Sequence, residues 1–149
     1  MTTEALQAIA ADPKAYLLRC SKAERRIRVK ARRVDQLRRL SVQITTTLKE
    51  ASAYTGPNDK VGNCVIEIVA LSGEIEKEIA EMVDQQRETG AAIRTLIPDV
   101  KVRAVLEARY LAGLSWEEIA YELHYAYRWV LKLHKRGLAM MQEAARERI

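Results

Sequence analysis

Apolar residues recur at three- and four-residue steps along almost the whole chain, the period of helices that each bury one face. Two stretches sustain the pattern longest. In the first, Cys20, Ala23, Ile27, Lys30, Val34, Leu37, Ser41, Ile44 and Leu48 form a heptad seam, imperfect at Lys30 and Ser41. In the second, Val65, Ile68, Ser72, Ile75, Ile79, Met82, Gln86, Thr89, Ile93 and Leu96 repeat it. Between them, Thr55-Gly56-Pro57-Asn58-Asp59 carries the chemistry of a turn. A short turn between two long helices predicts an antiparallel hairpin over residues 13–97, opened by Asp12-Pro13 and closed at Ile97-Pro98. That register sets Cys20 opposite the region of residue 94 and Cys64 opposite that of residue 50, so no intrachain disulfide is expected. Residues 1–12 are expected to form a frayed or short amphipathic lead.

A shorter pattern occupies residues 99–149. Asp99 is placed to cap a helix from Val100 to Ala112 in which Val102, Val105, Leu106 and Tyr110 share a face, with Gly113 as its left-handed terminator. Ser115 and Glu118 make a capping box, and Trp116, Ile119, Ala120 and Leu123 follow on one face of a second helix. His124-Tyr125 interrupts it. A third helix, over 126–141, turns Val130, Leu133, Gly137, Leu138 and Met141 inward. Its outward side carries Tyr127, Arg128, Leu131, Lys132, Lys135 and Arg136, and the tail from Gln142 to Ile149 is expected to continue the helix and fray. A short capped helix, a tight turn and a longer helix with a basic outer face make a helix-turn-helix. The expected fold is all-α: a lead (1–12), a long antiparallel helical hairpin (13–97) and a small three-helix helix-turn-helix module (99–149).

Charge sharpens this picture. The net charge is +5, yet residues 14–50 carry 12 Lys/Arg against 3 Asp/Glu, while residues 58–98 carry 4 against 8. Such asymmetry suits a basic surface for nucleic acid beside an acidic partner helix. Two helices that bury one stripe each rarely stand alone. Basic and acidic helices alternating around a bundle make a homodimer through the hairpin the expectation. Two readings stay open for Arg19, Lys22, Arg25, Arg26, Arg28, Lys30, Arg32, Arg33, Arg38 and Arg39: pairing with the acidic helix, or a second phosphate-binding surface.

Catalytic chemistry finds little support. The two histidines, His124 and His134, belong to no metal-binding motif, and His134 is expected at the surface or in a groove. Glu74, Glu76, Glu78 and Glu81 read as a solvated face or as partners for arginines. No nucleophile sits in a recognisable elbow, so neither an enzyme nor a cofactor is expected. The opening residues MTTEALQAIAAD lack the basic and apolar regions of a signal peptide. With no apolar run long enough for a membrane span and no disulfide framework, a cytoplasmic protein is expected.

The run R-A-V-L-E-A-R-Y-L-A-G-L-S-W-E-E-I-A-Y-E-L, followed by Y-R-W-V-L-K-L-H-K-R-G-L, resembles the fourth region of bacterial sigma factors. With the long hairpin ahead of it, the whole chain is similar to phage and prophage sigma-like regulators of the ArpU/RinA kind. The resemblance implies a transcription regulator of double-stranded DNA in a bacterial host, with RNA polymerase as a candidate partner. It places base contacts on Tyr127, Arg128, Leu131 and Lys132, and a phosphate contact near Arg136. Three positions depart from the family pattern: Ala126 replaces a capping Ser or Thr, His124 a glycine or small polar residue, and Gly137 an alanine.

Helix geometry alone supports the same roles. Arg128 can reach guanine bidentately, Lys132 guanine or phosphate, and Leu131 a thymine methyl, with Lys135 and Arg136 nearer phosphate. Two rival functions share these elements. One is a protein-interaction adaptor, with Trp129 and Leu131 as an apolar patch for polymerase or a phage protein. The other is a DNA-packaging small subunit that assembles as a ring.

Overall fold

The computed structural model describes residues 1–50 and 59–149. The turn chemistry at Thr55-Gly56-Pro57-Asn58 lies outside the described residues. The fold is all-α, with helices α1 (Thr3–Ala11), α2 (Pro13–Leu17), α3 (Arg19–Glu50), α4 (Asp59–Leu96), α5 (Val100–Tyr110), α6 (Trp116–Leu123) and α7 (Tyr127–Arg148). None of the described helices is long and apolar enough to cross a membrane. The described residues fall into two compact units, one of residues 1–22 and 82–149, the other of residues 23–81. The division runs through α3 and α4 rather than at Pro98. Packing thereby groups the lead and the bases of both long helices with the C-terminal helices.

The first unit holds the main core. Local chemistry sets its helix starts: Asp12 Oδ1 accepts from the Ala15 amide at 3.1 Å, and Asp99 Oδ1 from Lys101 at 2.9 Å. Between α2 and α3 the helix is interrupted at Leu18, where the Arg19 side chain donates to the Tyr16 carbonyl at 3.0 Å. After α4, Arg103 reaches back to donate to the Ile97 carbonyl at 2.9 Å, so a freed helix end gains a partner beside Pro98. Leu6, Ile9, Leu17, Ile93, Ile97, Val102, Val105, Leu106, Ile119, Val130, Leu133 and Met141 make one continuous apolar cluster.

The lead does not fray. Leu6 and Ile9 give α1 an apolar face that is buried, and α1 packs on α7. The Gln142 side chain donates to the Ala10 carbonyl at 2.9 Å, which holds the end of α1. Nor does the tail fray: α7 runs to Arg148, and Met141 and Ala145 are fully buried. Each terminal segment supplies the other's missing apolar surface.

In the second unit α3 and α4 run antiparallel. Their ion pairs show it, because Arg26 meets Glu78, Lys30 meets Glu74 and Glu78, and Arg33 meets Glu67. The expected seam of α3 is buried or half-buried from Cys20 to Ile44. On α4 the seam differs by one residue at every second position. Val65 and Ile79 are exposed, whereas Cys64 is buried and Glu78 half-buried. The reason is electrostatic: Lys30 already interrupts the α3 seam, and Glu78 turned inward lies 2.9 Å from its amine. The hydrogen bond to Glu78 raises the Lys30 amine above the ordinary lysine range. Both cysteines are free and buried.

Candidate nucleic-acid interface

The exposed helix face begins with the way α6 stops. Ser115 Oγ accepts from the Glu118 amide at 3.2 Å and starts α6 with Trp116 and Ile119 turned inward. At its end His124 adopts a left-handed conformation, φ 56° and ψ 41°. The Tyr125 amide donates to the Ala120 carbonyl at 3.0 Å and the His124 amide to Tyr121 at 3.3 Å, the crossed pair of a Schellman turn. Glycine is the usual residue there. Ala126, extended at φ −62° and ψ 142°, then starts α7 with no side chain to cap it.

Three elements hold α7 from its apolar side. Val130, Leu133, Gly137 and Met141 face inward as the spacing predicts, and α1, α5 and α6 pack against them. Gly137 has a packing role: a β-carbon there would lie 2.8 Å from Val102 Cγ1 and 2.9 Å from Leu106 Cδ1. The missing methyl group lets α7 approach α5 closely. That is the physical account of the departure from alanine.

Beneath the same helix lies a ring cluster that sequence reasoning did not anticipate. His134 is not a surface residue. Its ring stacks on Tyr110 with centroids 5.7 Å apart and meets the edge of Trp116 at 4.6 Å. Its Nε2 lies 2.6 Å from the Tyr110 hydroxyl. Burial, with the charges of Lys14 and Arg109, pushes the imidazole down to about 4, and burial pushes the Tyr110 phenol up. At neutral pH Tyr110 therefore donates to an unprotonated Nε2. Arg109 closes the cluster, with its guanidinium 4.4 Å from the Trp116 ring and Nη1 donating to the Leu114 carbonyl at 3.0 Å. The only sequence signal was that His134 lies one residue from Leu133, on the flank of the inward stripe.

The outward side is cationic. Tyr127, Arg128, Lys132, Lys135 and Arg136 are exposed, and Leu131 is half-buried. Arg128, Lys132 and Lys135 follow one another at i, i+4 and i+7, a stripe about 10 Å long. Arg136 flanks it, 5.7 Å from the ring of a half-buried Trp129. Trp129 packs on the core, so it does not form an apolar docking patch with Leu131. On α6, Tyr121 is 79% exposed, an aromatic side chain beside the turn that the sequence reading passed over. Among the described residues, no cluster of three or more His, Cys, Asp or Glu could hold a metal ion.

A family model described as "Protein of unknown function (DUF1492)" matches residues 43–137. No curated protein and no solved structure matches the chain.

Proposed function

We propose, for a chain that belongs to the DUF1492 family, that it is a sequence-specific double-stranded DNA-binding regulator of transcription. It reads its site with α7 lying in the major groove. One observation carries the reading: the exposed Arg128–Lys132–Lys135 stripe stands on a helix whose opposite side is clamped by α1, α5 and α6. An α-helix fits the major groove, and the N-terminal half of such a helix meets base edges. Arg128 and Lys132 stand in that half. Arg128 pairs with guanine O6 and N7, Lys132 contacts guanine or phosphate, and Leu131 and Tyr127 border the bases. Lys135 and Arg136, further along, take phosphates.

The uncapped start of α7 fits the same reading. Ala126 leaves first-turn amides without a side-chain acceptor, and a phosphate oxygen at a helix N-terminus is a favoured partner for such groups. The resemblance to the fourth region of sigma factors adds a phage or prophage setting and RNA polymerase as a protein partner.

The test is selection of duplexes from random sequence, followed by anisotropy titrations at several salt concentrations. Arg128→Ala should relax base preference at one position by about 1–3 kcal/mol, whereas Arg136→Ala should weaken all duplexes alike and reduce the salt slope by about 1. A chain that selects no sequence, or both variants behaving as the parent does, removes the proposal.

A further inference from the structure

The ion-pair ladder occupies one flank of the antiparallel pair in the second unit, and the other flank is uncovered. At 3.6 residues per turn, Val65, Val69, Ser72, Glu76 and Ile79 form a second stripe on α4, on the side of its seam opposite Glu67, Glu74 and Glu78. Val65 is 50%, Val69 67% and Ile79 42% exposed. On α3 the flank opposite Arg26, Lys30 and Arg33 carries Ala31, Arg38 and Val42, the last 65% exposed. Because the helices are antiparallel, these two flanks share one side of the pair. Asp35 and the Arg28–Glu24 ion pair stand on the α3 part of it.

We propose that this face is a self-association surface and that its occupant is the same face of a second copy. Charge complementarity selects the occupant. The face carries an exposed acid in its α4 half, Glu76, and an exposed base in its α3 half, Arg38, and neither has an ion-pair partner among the described residues. A two-fold axis perpendicular to the face lays α4 of one copy along α3 of the other. A register that sets Glu76 against Arg38 of the second copy also sets Val69 against its Ala31 and Ile79 beside its Val42. The symmetry makes each of these contacts twice. Apolar side chains that a lone chain leaves in water are then covered, while Arg25, Arg32 and Arg39 stay on the outer side of α3. The inference does not depend on DNA binding by α7.

The full-length chain is tested by sedimentation equilibrium, with circular dichroism confirming helix content. The parent should be a dimer. Glu76→Arg and Arg38→Glu should each weaken dimerisation at least about tenfold, since each places like charges in contact. The double variant Glu76→Arg/Arg38→Glu should return to within about threefold of the parent, because the pair is restored with its signs exchanged. Val69→Asp should give monomer. A monomeric parent, a larger ring, or a dimer indifferent to the single reversals overturns the proposal, as does a double variant no better than the singles.

Discussion

Replacing Gly137 by alanine sets two effects of known size against each other. Alanine is favoured over glycine inside a helix by about 1 kcal/mol, so on propensity alone the substitution stabilises α7. The packing opposes it. The new β-carbon would stand 2.8 Å from Val102 Cγ1 and 2.9 Å from Leu106 Cδ1, with Leu106 Cγ at 3.2 Å. Carbon atoms prefer about 3.5–4.0 Å. Leu106 has a flexible end, but Val102 is β-branched and stiff, and both are fully buried. Overpacking of this kind costs about 1–3 kcal/mol. The balance is a net loss of about 1 kcal/mol, which lowers the urea midpoint by about 0.5 M for a slope of about 2 kcal/mol per M. Trp116 and Trp129 both lie in this unit and report its unfolding by fluorescence. The decisive comparison places Gly137→Ala in a Val102→Ala background, where the crowded methyl groups are gone and the change should become neutral or stabilising. Were Gly137→Ala alone to raise the midpoint by its full propensity gain, the close approach of α5 and α7 would not be the reason for glycine.

Three further outcomes follow from the site. Ala126→Ser should stabilise the first unit by about 1 kcal/mol in urea titrations, since the extended backbone at 126 is already suited to a cap; no gain would mean that the first-turn amides are satisfied otherwise. His124→Gly should raise the midpoint modestly, by about 0.5–1 kcal/mol, as the relief of the left-handed residue outweighs the added freedom of the unfolded chain. His134, held near 4 in the folded chain and near 6.5 when unfolded, binds its proton more readily in the unfolded state. Its contribution is fully present above pH 6.5 and is lost as pH falls towards 4; solvent at the half-exposed ring reduces the loss to about 1–2 kcal/mol. His134→Gln should flatten the stability-against-pH curve in that window, and an unchanged slope would refute the assignment.

The features written in local chemistry were legible. Asp12, Asp99 and Ser115 cap their helices, and Gly113 has the expected positive φ of 73°. The inward face of α7 follows from spacing alone, as does the exposure of Arg128, Lys132, Lys135 and Arg136. What escaped was set by partners remote in sequence. The α4 seam was ambiguous because neighbouring residues at 64 and 65 are both apolar. At 78 and 79 a glutamate won over an isoleucine, since a lysine on another helix faced it. Residues 1–12 are too short for their periodicity to decide between fraying and packing when the surface that completes them lies on α7. His134 was misplaced for a similar reason: its neutrality comes from Tyr110 and Trp116, which only the folded chain brings together.

The Gln142–Ala10 hydrogen bond joins positions 132 residues apart. During synthesis, α1 leaves the ribosome long before residues 138–145 exist to receive it, and its apolar face must wait in water or find a temporary cover. Closing so large a loop is entropically slow, so this clasp should be among the late events of folding. An amide-exchange pulse during refolding would then find protection at Leu6 and Ile9 arriving together with that of Met141, after the interior of α5 has already become protected.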